Sequence, residues 1–271
     1  MDCHTLLVVM NRSIELENTL QNALSRGHSV WVVGDVHGHF KTLEALLVKL
    51  NLQEGDHVVL LGDMIDRGPD SAKVVKLVRS TENLHSLMGN HEDMMVGGFD
   101  EDVLFKEGID GVYWYHNGGL ATVNSYIAEN DDQGDDSLIA QVQDDIEWMK
   151  ELPHQLVLDG WRLVHAGYNP NHHVDEQTEA DLMMIRTLFH RIDKPIDEQR
   201  VIVFGHTVTC NLPGNSVMDL GSVWYHPTKL ADGRNSAIGI DTCVFHDREL
   251  PARLTALNLQ TETIVQQDRV V

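Results

Sequence analysis

The feature that most constrains this chain is a set of short apolar runs, each stopped by glycine or histidine and residues able to hold a metal ion or a proton. Val30 to Val33 runs into Gly34-Asp35, Val58 to Leu61 into Gly62-Asp63, and Leu84 to Met88 into Gly89-Asn90-His91. Trp161 to Val164 runs into His165-Ala166-Gly167, and Val201 to Phe204 into Gly205-His206. Such short runs, rich in β-branched residues and bounded by glycine, predict buried strands. Between the first three, Phe40 to Leu50 carries Leu43, Leu46, Leu47 and Leu50 at helical spacing, and Ser71 to Val78 is similar. The order predicts a βαβαβ start to an α/β fold. Ligands in α/β folds gather beyond the carboxyl ends of the strands, so separate segments deliver Asp, His and Asn to one edge of the sheet.

Composition limits what can be held there. The chain of 271 residues has 20 Lys plus Arg against 42 Asp plus Glu, a formal charge of −22. Phosphate backbones and anionic lipids are bound by a basic excess, so neither a nucleic acid nor a membrane surface is an expected partner. Leu6 to Met10 falls far short of a ~20-residue membrane span. It also lacks the basic start and small-residue cleavage site of a secretory leader. Cys3, Cys210 and Cys243 are scattered and odd in number, which predicts a reducing compartment, with cytoplasm as the default. The acid-rich stretch Glu129 to Asp136 reads as a solvated loop.

Taken as chemistry, the strand-end residues form a dinuclear metal site. Asp35 and His37 can reach one ion together, and Asp63 can bridge two ions through its two oxygens. Asn90 offers a neutral oxygen, and His165 and His206 offer imidazole nitrogens. Mixed oxygen and nitrogen donors without thiolate suit Mn²⁺, Fe or Zn²⁺ better than a structural zinc. Two ions ~3.5–4 Å apart can activate a shared hydroxide and clamp the oxygens of an in-line phosphoryl displacement.

The motifs Gly34-Asp35-Val36-His37-Gly38, Gly62-Asp63-Met64-Ile65-Asp66-Arg67-Gly68, Gly89-Asn90-His91-Glu92, His165-Ala166-Gly167 and Gly205-His206 occur in one order. Together they resemble the metallophosphoesterase superfamily, and within it the phosphoprotein phosphatase type of serine/threonine phosphatase in its short bacterial and phage form. The resemblance runs from about Val30 to Leu259. It implies a calcineurin-like fold, a two-sheet sandwich flanked by helices. It implies two divalent cations, Mn²⁺ first, with Fe, Zn or Ni as alternatives. Asp35, His37 and Asp63 would hold one, and Asp63, Asn90, His165 and His206 the other. His91 matches the general acid, Asp66 its carboxylate partner, and Arg67 a phosphate clamp. Arg186, in Leu182-Met183-Met184-Ile185-Arg186, resembles a second clamp, with Met184 in place of the family's aromatic residue. In Gly239-Ile240-Asp241-Thr242-Cys243, Cys243 stands where the family carries glycine.

The implied activity is hydrolysis of phosphoserine and phosphothreonine, and also phosphotyrosine, in proteins by direct attack of hydroxide. The organisation expected is a helical N-terminal extension over 1–28 and one catalytic domain over 29–271 with a helical insertion at about 94–158. Leu16, Leu20 and Leu24 predict a helix before Gly27, and Val142 to Leu152 another that Pro153 ends. Glu92 reads as structural, Trp114 as helix packing, and Asn117-Gly118-Gly119 as a turn near the site. The nearest competing function is symmetrical diadenosine tetraphosphate hydrolysis on the same fold, which Asp66-Arg67 disfavours. An inactive binding module of the same fold would have lost ligands that this chain retains. A cysteine-dependent phosphatase fails on spacing, because Cys243 to Arg248 is one residue short of C-x₅-R.

Overall fold

The structure is a computed structural model that describes residues 12–99, 113–130, 134–246 and 251–271. It opens with helix α1 (Ile14–Ser25), then strand β1 (Val30–Val33), α2 (Phe40–Leu50), β2 (His57–Leu60), α3 (Ser71–Ser80), β3 (Leu84–Ser86) and α4 (Asn90–Gly98). A π-helical turn (Tyr115–Gly119) leads into α5 (Leu120–Glu129), followed by α6 (Asp135–Lys150), β4 (Gln155–Val157) and β5 (Trp161–Val164). Short helices α7 (Glu179–Met184) and α8 (Thr187–His190) precede β6 (Val201–Phe204), β7 (Trp224–Tyr225), β8 (Ala237–Gly239), β9 (Arg253–Asn258) and β10 (Ile264–Asp268). The sequence-predicted strands and helices are present, with ends shifted by a few residues at most places, and α6 begins earlier than the pattern from Val142 suggested.

Two five-stranded sheets form, ordered β10-β9-β1-β2-β3 and β4-β5-β6-β8-β7. Within the first, β1, β2 and β3 are parallel, and within the second, β5, β6 and β8 are parallel. The flanking strands β9, β4 and β7 pair antiparallel to them. Side chains alternate across each strand. Val30, Val32, Val59 and Leu61 thus meet Leu163, Val203 and Ile238 in the core between the sheets. Trp31, Val33, Val58 and Leu60 face the other way, with Leu43 and Leu46 of α2 and Val74 and Val75 of α3. Ile202 and Phe204 of the second sheet pack outward on Tyr168 and Phe189. Each such side chain contributes roughly 1.5–3 kcal/mol.

The helix predicted in the N-terminal segment is α1, and it is anchored on the sandwich. Leu20 and Ala23 join the inter-sheet core. Buried Glu17 pairs with Arg12 at 2.6 Å and accepts the Val157 N–H at 2.8 Å, on the edge strand β4. Residues 1–11 lie outside the described residues. Of the span predicted as a helical insertion, α4, α5 and α6 are helical, while Gln155–Val157 joins the second sheet as β4. Among the described residues no helix is long and apolar enough to cross a membrane.

One buried histidine that is not among the predicted ligands sets an acid limit on this fold. His190 stacks on Phe204 with ring centroids 5.6 Å apart, and its Nε2 has no partner among the described residues. Burial, aided by Arg186, pushes its pKa down to about 4. The unfolded chain therefore binds a proton that the folded chain refuses, and stability falls as pH drops from about 6.5 towards 4. Urea unfolding of the metal-free protein should show a midpoint that falls between pH 7 and pH 5. His190→Leu should flatten part of that slope, and equal slopes would reject the assignment.

Candidate functional site

The parallel strands of both sheets end at one place. Asp35 and His37 follow β1, Asp63 follows β2, and Asn90 and His91 open α4 directly after β3. His165 follows β5 and His206 follows β6. The loops that carry them are sharply bent: His37, Asp63, Asp66, Arg67, His206 and Cys243 all have φ between +46° and +72°. Left-handed backbone at non-glycine residues costs of order 1–3 kcal/mol each and clusters where function demands it. Cys243 has left-handed backbone, at φ +63°, and its N–H donates to Asp241 Oδ1 at 3.0 Å. At Gly205 a Cβ would collide with Asp35 Oδ1, so a larger residue there would have to displace the Asp35 carboxylate.

The structure forms two donor groups around Asp63. His37, Asp63 and His91 converge on one side, and Asp63, His165 and His206 on the other, all buried. Asp63 Oδ2 lies 3.6 Å from His37 Nε2, and Oδ1 lies 3.4 Å from His165 Nε2. Asn90 Oδ1 sits between His165 Nε2 at 2.9 Å and His206 Nδ1 at 2.7 Å. Asp35 lies outside both groups, and its two oxygens accept the His206 backbone N–H at 3.1 Å. Of the predicted ligands, Asp63, His37, Asn90, His165 and His206 are thus brought together, while Asp35 stands behind the His206 loop.

The donor chemistry fits cations. His37 Nδ1 donates to the Ile65 carbonyl at 2.9 Å, and His165 Nδ1 donates to the Leu61 carbonyl at 2.7 Å. With those protons fixed, each neutral ring turns an unprotonated Nε2 towards the Asp63 carboxylate. Burial holds both rings neutral by lowering their pKa values, and it takes His206 down to about 2. The His165 Nε2 lone pair faces the acceptors Asn90 Oδ1 and Asp63 Oδ1 and is repelled unless positive charge lies among them, whereas His37 Nε2 accepts an N–H of Arg67. Carbonyl-oriented imidazoles are also the usual support of metal-binding histidines.

His91, a member of the first donor group, is paired with Asp66. His91 Nδ1 meets Asp66 Oδ2 at 2.6 Å, and His91 N–H donates to Asp63 Oδ1 at 3.1 Å. Burial lowers the affinity of His91 for a proton, but the Asp63 and Asp66 carboxylates outweigh it and raise its pKa. Arg67 lies alongside, with Nη2 3.0 Å from His91 Nε2 and Nη1 2.7 Å from His37 Nε2. Arg186 lies between α7 and α8, and its Nη1 donates to Thr207 Oγ1 at 2.9 Å, next to His206.

Residues 28–210 match the family model described as calcineurin-like phosphoesterase. The chain belongs to that family. Among relatives of this phosphoesterase, serine/threonine-protein phosphatase 2 of Salmonella typhimurium is 27% identical, over 71% of this chain and 87% of the relative. A symmetrical bis(5'-nucleosyl)-tetraphosphatase of Pectobacterium carotovorum is 33% identical, over 52% of this chain and 44% of the relative. A solved structure described as a putative diadenosine tetraphosphatase aligns at TM-score 0.57 and 22% identity, covering 90% of this chain and 94% of that one, and shares the fold.

Two residues of the candidate site, Trp114 and Thr122, escaped sequence reasoning, while the Asn117-Gly118-Gly119 turn and Glu92 lie as expected from the sequence. Trp114, expected to pack a helix, is buried, and its Nε1 donates to Asp66 Oδ2 at 3.0 Å. Thr122 of α5 donates to Asp66 Oδ1 at 2.6 Å, so the helical segment after 112 fixes the partner of His91. Gly118 of the Asn117-Gly118-Gly119 turn accepts the Arg67 N–H at 3.2 Å, and a Cβ there would come within 2.9 Å of Arg67. Glu92, read as structural, accepts N–H groups from Asp63, Met64, Ile65 and Gly89 at 2.8–3.3 Å, tying the β2 and β3 loops together. Spacing gave no signal for the contacts of Trp114 and Thr122 with Asp66, which span 48 and 56 residues.

Proposed function

We propose that this phosphoesterase hydrolyses phosphomonoesters on proteins, phosphoserine and phosphothreonine first, and that its residues over 29–271 work as one catalytic unit. The observation that carries this reading is the 2.6 Å contact of His91 with Asp66 beside Arg67. A serine or threonine alkoxide is a poor leaving group and needs a proton as the P–O bond breaks. A nucleotide leaving from a polyphosphate needs one far less. A buried imidazole with a raised pKa, held in orientation by a carboxylate, is suited to the first task. The extent of the match to the Salmonella phosphatase, 87% of its length, supports the same reading.

In this proposal Arg67 and Arg186 bind the phosphoryl oxygens, for which planar guanidinium groups are well shaped. His91 Nε2 gives its proton to the leaving oxygen, and Asp66 keeps Nδ1 protonated and the ring aligned. His37, Asp63, Asn90, His165 and His206 would hold two divalent cations, Mn²⁺ first, with Asp35 bracing His206 or ligating. Such cations, when bound, supply an activated water and neutralise charge on the phosphoryl group. Phosphorylated peptides are the partners this implies.

The test strips the protein with a chelator, restores Mn²⁺, and compares p-nitrophenyl phosphate, a phosphoserine peptide and diadenosine tetraphosphate. Activity should vanish on verified stripping and return with Mn²⁺, and kcat/KM should be highest for the phosphopeptide. Undiminished activity without metal would reject the cation reading. Preference for the dinucleotide, the activity named for the Pectobacterium relative, would transfer the assignment to that substrate.

A further inference from the structure

Arg67 is held by more than its hydrogen bonds. Its guanidinium carbon lies 4.2 Å from the centroid of the Phe245 ring, within the range of a cation–π contact. The same ring meets His37 edge-on, with centroids 5.0 Å apart and planes at 90°. Phe245 is itself tethered from the far strand of the sheet. Arg269, immediately after β10, donates Nη1 to the His246 carbonyl at 2.8 Å and to the Phe245 carbonyl at 3.4 Å. Gly118 holds the Arg67 backbone from the opposite side.

We infer that Phe245 is a positioning residue that presents Arg67 to the phosphoryl group, with Arg269 holding the ring in place. The inference rests on the clamp role of Arg67 proposed above. A free arginine side chain samples many rotamers, and a clamp that must be ordered by each substrate loses affinity in proportion. The ring lies against the guanidinium, whose N–H groups are directed at His37 and His91, beside which an anion would lie. The aromatic face attracts the cation electrostatically, so a saturated side chain of similar volume cannot replace it. Because the contact acts on a group that binds phosphate before and during reaction, its loss falls mainly on KM.

The experiment compares Phe245→Leu, Phe245→Tyr and Arg269→Gln in the Mn²⁺-restored protein. The readouts are the Kd for inorganic phosphate by calorimetry, kcat and KM for p-nitrophenyl phosphate, and the thermal midpoint. Phe245→Leu should weaken phosphate binding and raise KM by about 3–10-fold, with kcat lowered less than KM is raised. Phe245→Tyr should stay within about twofold of wild type, since it keeps the ring, and Arg269→Gln should fall between them. Equal loss in the Leu and Tyr variants, or a Leu variant that binds phosphate like wild type, would overturn the inference. Phosphate affinity reads the clamp whichever ester is the better substrate. A wild type that prefers the dinucleotide would therefore defeat the substrate reading alone.

Discussion

Replacing His91 by Asn should lower kcat by ~10²–10⁴-fold, and more for a phosphoserine peptide than for p-nitrophenyl phosphate. Asparagine can donate a hydrogen bond but cannot give up a proton, so the alkoxide must leave unprotonated. Nitrophenolate leaves readily without help, and the penalty on it should be the smaller. KM should change little, because in the proposed mechanism His91 would act on the leaving oxygen, whereas Arg67 and Arg186 would hold the phosphoryl group. The pH profile gives a second reading. Asp63 and Asp66 raise the pKa of His91, so the acid form persists further into the alkaline range than that of an ordinary imidazole. Activity that depends on it is full below that raised pKa and is lost as pH rises through it. The alkaline limb present in wild type should be missing from His91→Asn. Stopped-flow or steady-state rates on both substrates across pH check this. A near-wild-type rate on the phosphopeptide would remove His91 from the general-acid role.

Much of this site was legible because its chemistry is local in sequence. Each candidate-ligand turn directly follows a short run of mostly buried residues, rich in β-branched side chains in β1, β2 and β6, and the run announces both the strand and its end. Val30 to Val33, Trp161 to Val164 and Val201 to Phe204 are strands with the bounds their composition suggests. Phe40–Leu50 likewise begins and ends as its leucine spacing does. What stayed hidden is non-local. Strand β9 lies antiparallel beside β1 across most of the chain length, and three-residue strands such as β4 and β8 are too short to show a period. The Trp114–Asp66 hydrogen bond and the Phe245–Arg67 contact join segments whose separation carries no pattern. Asp35 illustrates the other limit. Its place at a strand end was clear, yet whether its oxygens face the donor group or the His206 N–H depends on backbone angles that residue types do not specify.

Asp63→Asn should separate folding from metal binding. Asp63 is the residue shared by both donor groups, so its neutralisation weakens both at once. Loss of an outer partner of a metal ligand costs ~10–100-fold in affinity, and loss of a shared charged ligand should cost more. Metal content by mass spectrometry should fall well below that of wild type after identical loading, and activity with it. The fold should survive, because an asparagine fills the same volume and can still accept the His91 N–H that now meets Oδ1. Without metal, two effects oppose each other: burial raises the Asp63 pKa but the surrounding histidines outweigh it and hold Asp63 well below the usual carboxylate range, a stabilisation the variant forfeits, while neighbouring carboxylates gain. Burial and the Asp63 charge push Glu92 up to about 7, so ionising Glu92 opposes folding increasingly as pH rises from its ordinary value through about 7. Asp35 is raised by burial and by Asp241 and Asp63 in the same sense. Removing the Asp63 charge relieves both carboxylates. Mn²⁺ should raise the midpoint of wild type far more than that of the variant. A variant that gains as much from Mn²⁺ as wild type does would show that Asp63 is not the shared ligand.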